Sequence, residues 1–180
     1  MSSQHHTYRL ADANATADLG AALAKILTPG LKIYLHGDLG AGKTTLVRGL
    51  LTALGHAGPV KSPTYSLVEL YVISGYIVYH FDFYRFNRPE EWLEAGLDEH
   101  FNQDTICLVE WPEKAGKLLP PADLEVFIDV TDVTDVTAGA GADQPKIDSG
   151  ELRQVAIQAN SERGRQCLSG LRFLPTHRAP

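Results

Sequence analysis

Positive charge is what this 180-residue sequence holds least of: Lys and Arg together number 16 against 22 Asp and Glu, a net charge of −6. Proteins that grip nucleic acid unaided neutralise several phosphates with clustered Lys and Arg. Here Arg48, Arg85 and Arg88 are scattered, and only Arg163 and Arg165 make a small basic knot. Direct RNA binding is therefore not expected. Cysteine is scarce as well. Cys107 and Cys167 stand far apart in no metal or redox spacing, and Cys107 sits inside the apolar run ICLVE, as a small core residue would. No apolar run approaches the length of a membrane span, and the polar start MSSQHHTYRL lacks the form of a secretory signal. No membrane association is expected, and a reducing cytoplasm is the simplest compartment. No histidines pair at ligand spacing, so His36, His80 and His100 read as structural or surface residues.

What is present is enough apolar content, 44%, to bury one core, so a single domain over 1–180 is expected. NATADLGAALAKIL places Leu19, Ala22, Leu23, Ile26 and Leu27 on one helical face, with Asn14 or Thr16 as N-cap and Gly30 beyond the end. LKIYLHG follows as a short apolar strand. The next helix opens in a glycine loop, buries Leu46, Leu50 and Leu54, and stops at Gly55. SLVELYVISGYIVYHFDFYRF reads as a hairpin turning at Ser74 and Gly75, and RPEEWLEAGLDEHF as a helix with Pro89 in its first turn. TICLVE and DLEVFIDV are strands, LRQVAIQA a last strand and NSERGRQCLSGL a last helix. Between them, 131–151 repeats Val-Thr-Asp and then runs through Gly, Ala and Pro, which predicts a flexible insertion; 174–180 reads as a tail. Strands alternating with helices predict an α/β fold, a mostly parallel central sheet flanked by helices with an antiparallel hairpin.

HGDLGAGKTTLVRGLL carries the chemistry. Gly37, Gly42, Lys43 and Thr44 complete the pattern G-x-x-x-x-G-K-[ST]. Glycines let the backbone wrap so that consecutive N–H groups converge on phosphate oxygens, and a helix starting near Lys43 adds unpaired amides and the positive end of its dipole. Lys43, expected on a solvent-facing loop, reaches the β and γ phosphates, and the Thr44 hydroxyl ligates Mg²⁺. The motif follows an apolar strand and opens an amphipathic helix, so it predicts a P-loop that holds a nucleotide. Such a site also needs a carboxylate at a strand end. Asp82 ends YIVYHFD and Glu110 ends TICLVE; the sequence does not rank them. Thr64 in KSPTYSLVE either senses a γ-phosphate, as switch threonines do, or sits in an ordinary Ser-Pro turn. Trp111 either stacks near the site or packs as a buried indole.

No lysine lies in a guanine-reading Asn/Thr-Lys-x-Asp motif, which favours ATP. A small-molecule P-loop kinase remains the alternative, although Glu110 to Val130 offers only Lys114 and Lys117 where a kinase lid would bring arginines. Taken in order, GDLGAGKTTLVRGLL, VKSPTYSLVELY, YHFDFYRF, EEWLEAGLDEHF and ICLVEWPE resemble the bacterial TsaE family, the ATPase subunit of the machinery that makes N6-threonylcarbamoyladenosine in tRNA. The resemblance spans Tyr8 to Val130 and, more loosely, Leu152 to Leu168. It implies a P-loop NTPase fold with ATP bound by Leu39, Gly40, Ala41, Gly42, Lys43, Thr44 and Thr45, and Mg²⁺ held by Thr44 and Glu110. Lys43 matches the phosphate lysine, Asp82 the acid associated with hydrolysis and Thr64 the switch-like threonine. It further implies a weak ATPase that acts with the threonylcarbamoyl transferase subunit and its inactive paralogue, resets that complex between turnovers, and meets tRNA only through it. Phe83 stands where the family usually has Leu. Arg153, after the insertion, is the candidate for a family arginine near the nucleotide, and Thr16 is a candidate to approach the base.

Overall fold

A computed structural model describes residues 4–131 and 152–174. The expected insertion, beyond its first residue Thr131, and the tail beyond Leu174 lie outside the described residues. The strands are β1 (Gln4–Leu10), β2 (Lys32–His36), β3 (Val68–Ile73), β4 (Tyr76–Asp82), β5 (Thr105–Glu110), β6 (Leu124–Thr131) and β7 (Leu152–Ala159). The helices are α1 (Ala13–Ala24), α2 (Lys43–Ala53), α3 (Glu91–Glu94) and α4 (Glu162–Gly170). The strands form one sheet in the order β1-β7-β6-β2-β5-β4-β3. Its centre, β6-β2-β5-β4, is parallel; β3 pairs antiparallel with β4, and β7 antiparallel with both β6 and β1.

Period-2 alternation divides the core into two layers. Ile33 and Leu35 of β2, Ile106 and Leu108 of β5 and Val126 and Ile128 of β6 pack with Leu19 and Leu23 of α1, Leu46 and Leu50 of α2 and Leu168 of α4. Tyr34, Cys107, Val109 and Phe81 face the opposite way, against Phe83, Phe86, Trp92 and Leu97. TICLVE is buried at every position because β5 is covered on both faces. Helices α1 and α2 approach closely: a Cβ on Gly20 would collide with the Leu46 carbonyl oxygen, and one on Gly49 with the Ala17 carbonyl oxygen.

Several sequence expectations are corrected. The N-cap of α1 is Asp12, whose carboxylate accepts the Ala15 amide at 2.7 Å, rather than Asn14 or Thr16. That helix ends at Ala24, so Ile26 and Leu27 lie beyond it; Leu27 is still buried. Leu54 is half-buried just past α2. The helix expected over RPEEWLEAGLDEHF is short because Gly96 adopts a left-handed conformation (φ 68°); α3 stops before it and a 3₁₀ turn, Leu97–His100, follows. Strand β1 was hidden by its composition: Gln4, His6, Tyr8 and Leu10 share the inward face, of which Leu10 alone is fully buried, and it is held by pairing with β7 and by an edge contact of Tyr8 on Phe173, ring centroids 5.2 Å apart. The hairpin at Ser74 and Gly75 forms as expected, with Ile73 opposite Tyr76.

Candidate functional site

The turn after β2 runs from the middle of the parallel strands directly into α2. Gly42 is the N-cap of α2 and holds φ 113°, a region that an L side chain rarely enters, so the loop needs glycine there. No side chain caps α2, and its first intrahelical bond runs from the Leu46 amide to the Gly42 carbonyl at 3.0 Å. The amides of Lys43, Thr44 and Thr45 precede that bond and gather at the positive end of the helix dipole. An anion fits this place.

Around it opens a cleft of about 300 Å³, lined by Leu39, Gly40, Gly42, Lys43, Thr44, Thr45, Ser62, Thr64, Asp82, Tyr84, Glu110 and Trp111. Of the residues expected at the site, it brings together all except Thr16, Gly37, Ala41 and Arg153. Ala41 is buried beneath the loop, and its carbonyl accepts a hydrogen bond from Arg153 Nε at 2.9 Å. Arg153 and Thr16 flank the glycine turn: a Cβ on Gly42 would lie 3.3 Å from Arg153 Nε and 3.5 Å from Thr16 Cγ2. The Thr16 hydroxyl is committed to the Asp12 carbonyl at 3.1 Å.

Lys43 is not on a solvent-facing loop: it is 4% exposed. Its ammonium donates to the carbonyls of Gly37 and of Asp38, the latter at 2.9 Å, and lies 4.0 Å from the centre of the Trp111 ring. Burial holds its pKa below the usual lysine value, although Glu110, Glu113, Asp82 and Asp38 pull the other way. The ring reaches this position because Trp111 takes a left-handed backbone (φ 59°), uncommon for a bulky residue. Trp111 is half-buried and also leans on Tyr84, ring centroids 5.0 Å apart.

The two strand-end carboxylates differ in their partners. Asp82 and Glu110 stand directly opposite each other across the β4–β5 ladder. Glu110 Oε1 accepts the Thr44 hydroxyl at 2.8 Å and His80 Nε2–H at 2.9 Å. Asp82 Oδ2 accepts the hydroxyls of Ser62 and of Thr64, the latter at 2.7 Å, and its Oδ1 accepts the Tyr84 amide at 2.9 Å. Thr64 is therefore tied to the site through Asp82, with Pro63 bending the chain between the two hydroxyls. A hydroxyl beside a carboxylate on adjacent elements is a donor set that suits Mg²⁺, a hard cation taking oxygen ligands.

Sequence reasoning missed Ser62 and His80. The signal for His80 was present: it lies two residues before Asp82, hence on the same face of β4. Ser62 had no signal beyond its place in KSPT. A second concavity, about 360 Å³, is lined by Tyr34, His36, Glu113 and Glu125 among others. Its carboxylates repel phosphate, and the glycine loop's cleft is the better anion site.

The family model described as Threonylcarbamoyl adenosine biosynthesis protein TsaE matches residues 10–137. The chain is 57% identical over 102 residues to the tRNA threonylcarbamoyladenosine biosynthesis protein TsaE of Haemophilus influenzae, a match covering 57% of this chain and 65% of that protein. It is 40% identical over 117 residues to the Bacillus subtilis protein of the same description, covering 65% of this chain and 71% of that protein. The crystal structure of YdiB from Bacillus subtilis superposes with a TM-score of 0.72 at 27% identity, covering 95% of this chain and 96% of that one. Family model, relatives and fold converge on one answer: the chain belongs to the TsaE family.

Proposed function

We propose that this chain is the ATP-binding and ATP-hydrolysing subunit of the machinery that forms N6-threonylcarbamoyladenosine in tRNA. The observation that carries the proposal is the uncapped N-terminus of α2, preceded by a glycine turn and flanked by Lys43, with Thr44 bonded to Glu110. The amides of Lys43 to Thr45 hold phosphate oxygens. Lys43 exchanges the carbonyls of Gly37 and Asp38 for the β and γ phosphates. Thr44 and Glu110 hold Mg²⁺, which neutralises charge on the phosphates. Asp82 orients the attacking water, and Ser62 and Thr64, both donating to its Oδ2, fix the direction of that carboxylate. Arg153 braces the loop through the Ala41 carbonyl.

This reading assigns no acceptor for a transferred phosphoryl group. Hydrolysis then serves a conformational step in partners, the threonylcarbamoyl transferase subunit and its inactive paralogue, which this chain resets between turnovers in the cytoplasm. The net charge of −6 fits a subunit that meets tRNA only through that complex. A multiple-turnover tRNA modification assay tests the proposal. With both partners present, addition of this chain should sustain product formation past a first turnover, and its ATP hydrolysis should rise above the slow rate of the chain alone. Rapid phosphorylation of a small metabolite by the chain alone would replace this reading with a kinase.

A further inference from the structure

His80 is fully buried, and its Nε2 lies 2.9 Å from Glu110 Oε1, the same oxygen that accepts the Thr44 hydroxyl. Its other ring nitrogen, Nδ1, is buried with no hydrogen-bond partner. An apolar side chain of similar size would fill this space without leaving a buried acceptor unsatisfied. What the imidazole adds is the Nε2–H. A carboxylate can only accept, so Nε2 carries a proton and donates it to Glu110. The placement follows from the ladder: His80 is paired with Leu108 and Asp82 with Glu110, so His80 stands one pleat behind Glu110 on the same side of the sheet. Glu110 without this bond could swing toward the Lys43 ammonium, which is close enough to be felt electrostatically but is bonded elsewhere.

We propose that His80 is a positioning residue for magnesium binding: its Nε2–H holds Glu110 Oε1 beside the Thr44 hydroxyl, so that both oxygens are oriented before the cation arrives. This rests on the reading of Thr44 and Glu110 as the magnesium-binding pair. Hydrogen bonds to a ligating carboxylate or histidine set its direction, and their loss commonly weakens metal binding about 10- to 100-fold.

The test is titration of a non-hydrolysable ATP analogue into wild type, His80→Met and His80→Gln, first with EDTA and then across a magnesium series. His80→Met should raise the magnesium concentration for half-maximal gain in affinity about tenfold or more. Its affinity in EDTA should stay at the wild-type level, and His80→Gln, which keeps an N–H donor, should recover most of the loss. An unchanged magnesium requirement in a folded His80→Met overturns the proposal, as does an equal loss with and without magnesium. Should His80→Met fail to fold, two-bond ¹⁵N–¹H spectra of the wild type decide: a proton on Nε2 supports the proposal and a proton on Nδ1 alone overturns it. If the wild type itself shows no magnesium-linked binding, the nucleotide reading falls and takes this proposal with it, a result that differs from a defect confined to His80→Met.

Discussion

Lys43 spends burial on a charge, and that decides what its removal does. Its ammonium is desolvated enough to hold the pKa below the ordinary lysine value, and its bonds go to carbonyls of its own loop. Lys43→Met should therefore weaken nucleotide binding roughly 10- to 100-fold, the worth of a charge-assisted contact, while the protein unfolds at the same urea concentration as wild type or a higher one. Calorimetry and a urea melt read the two effects separately, and retained affinity would contradict the role given to Lys43. Glu110 and Asp82 separate in the same way. Glu110 is bonded to Thr44, whereas Asp82 is bonded to Ser62 and Thr64. Glu110→Ala should raise the magnesium requirement for hydrolysis about tenfold or more. Asp82→Ala should instead slow hydrolysis about 10²- to 10⁴-fold at saturating magnesium. Identical magnesium curves for the two variants would remove the distinction.

The loop is only as well placed as the element that follows it, and α2 is seated by close contact with α1. Gly49 lies where a Cβ would meet the Ala17 carbonyl, which is backbone and cannot give way as a flexible side chain could. Gly49→Ala should destabilise the fold by about 1–3 kcal/mol and weaken nucleotide binding with it, because separating the helices tilts the α2 amides. A denaturant melt unchanged from wild type would show that the interface yields. How much of this was legible in the sequence depended on whether local pattern and tertiary context agreed. β2, β5, the glycine loop and the Ser74–Gly75 hairpin carry strong local patterns, and all form where expected. β1 offers a polar segment whose inward face carries Gln4, His6, Tyr8 and Leu10; its partner β7 is about 150 residues away in sequence, and such pairing leaves no local trace. The stretch around Trp92 and Leu97 has helical composition, but Gly96 breaks it. At the site, residue types at fixed spacing gave Lys43 and Thr44, and strand-end position gave Asp82 and Glu110 unranked; the bonds that tell the two acids apart, from Ser62 to Asp82 and from His80 to Glu110, are tertiary contacts.

Taken whole, the molecule places its candidate site at one end of a sheet whose central strand β5 is covered on both faces, and that covering has its own pH signature. Cys107 on β5 is 1% exposed, and burial pushes its thiol up from 9.0 to about 12, against smaller opposing effects of Thr105 and Lys32. Between those values the unfolded chain has released the thiol proton and the folded chain keeps it, so the native state binds more protons and stability falls as pH rises through the window. The stability advantage of wild type over Cys107→Ala should shrink between about pH 8 and about pH 10 in urea melts, and a constant difference would contradict the account. Tyr34, whose hydroxyl burial also pushes upward with a smaller push from Cys107, titrates in the same direction. Above all of these stands the claim that backbone amides of the glycine loop and of the α2 N-terminus hold the phosphates of a nucleoside triphosphate. Calorimetric titration of ATP into the chain, with magnesium and then with EDTA, tests it most directly. The account predicts saturable binding that magnesium strengthens and that Lys43→Met impairs; the absence of saturable heat in both conditions would contradict it.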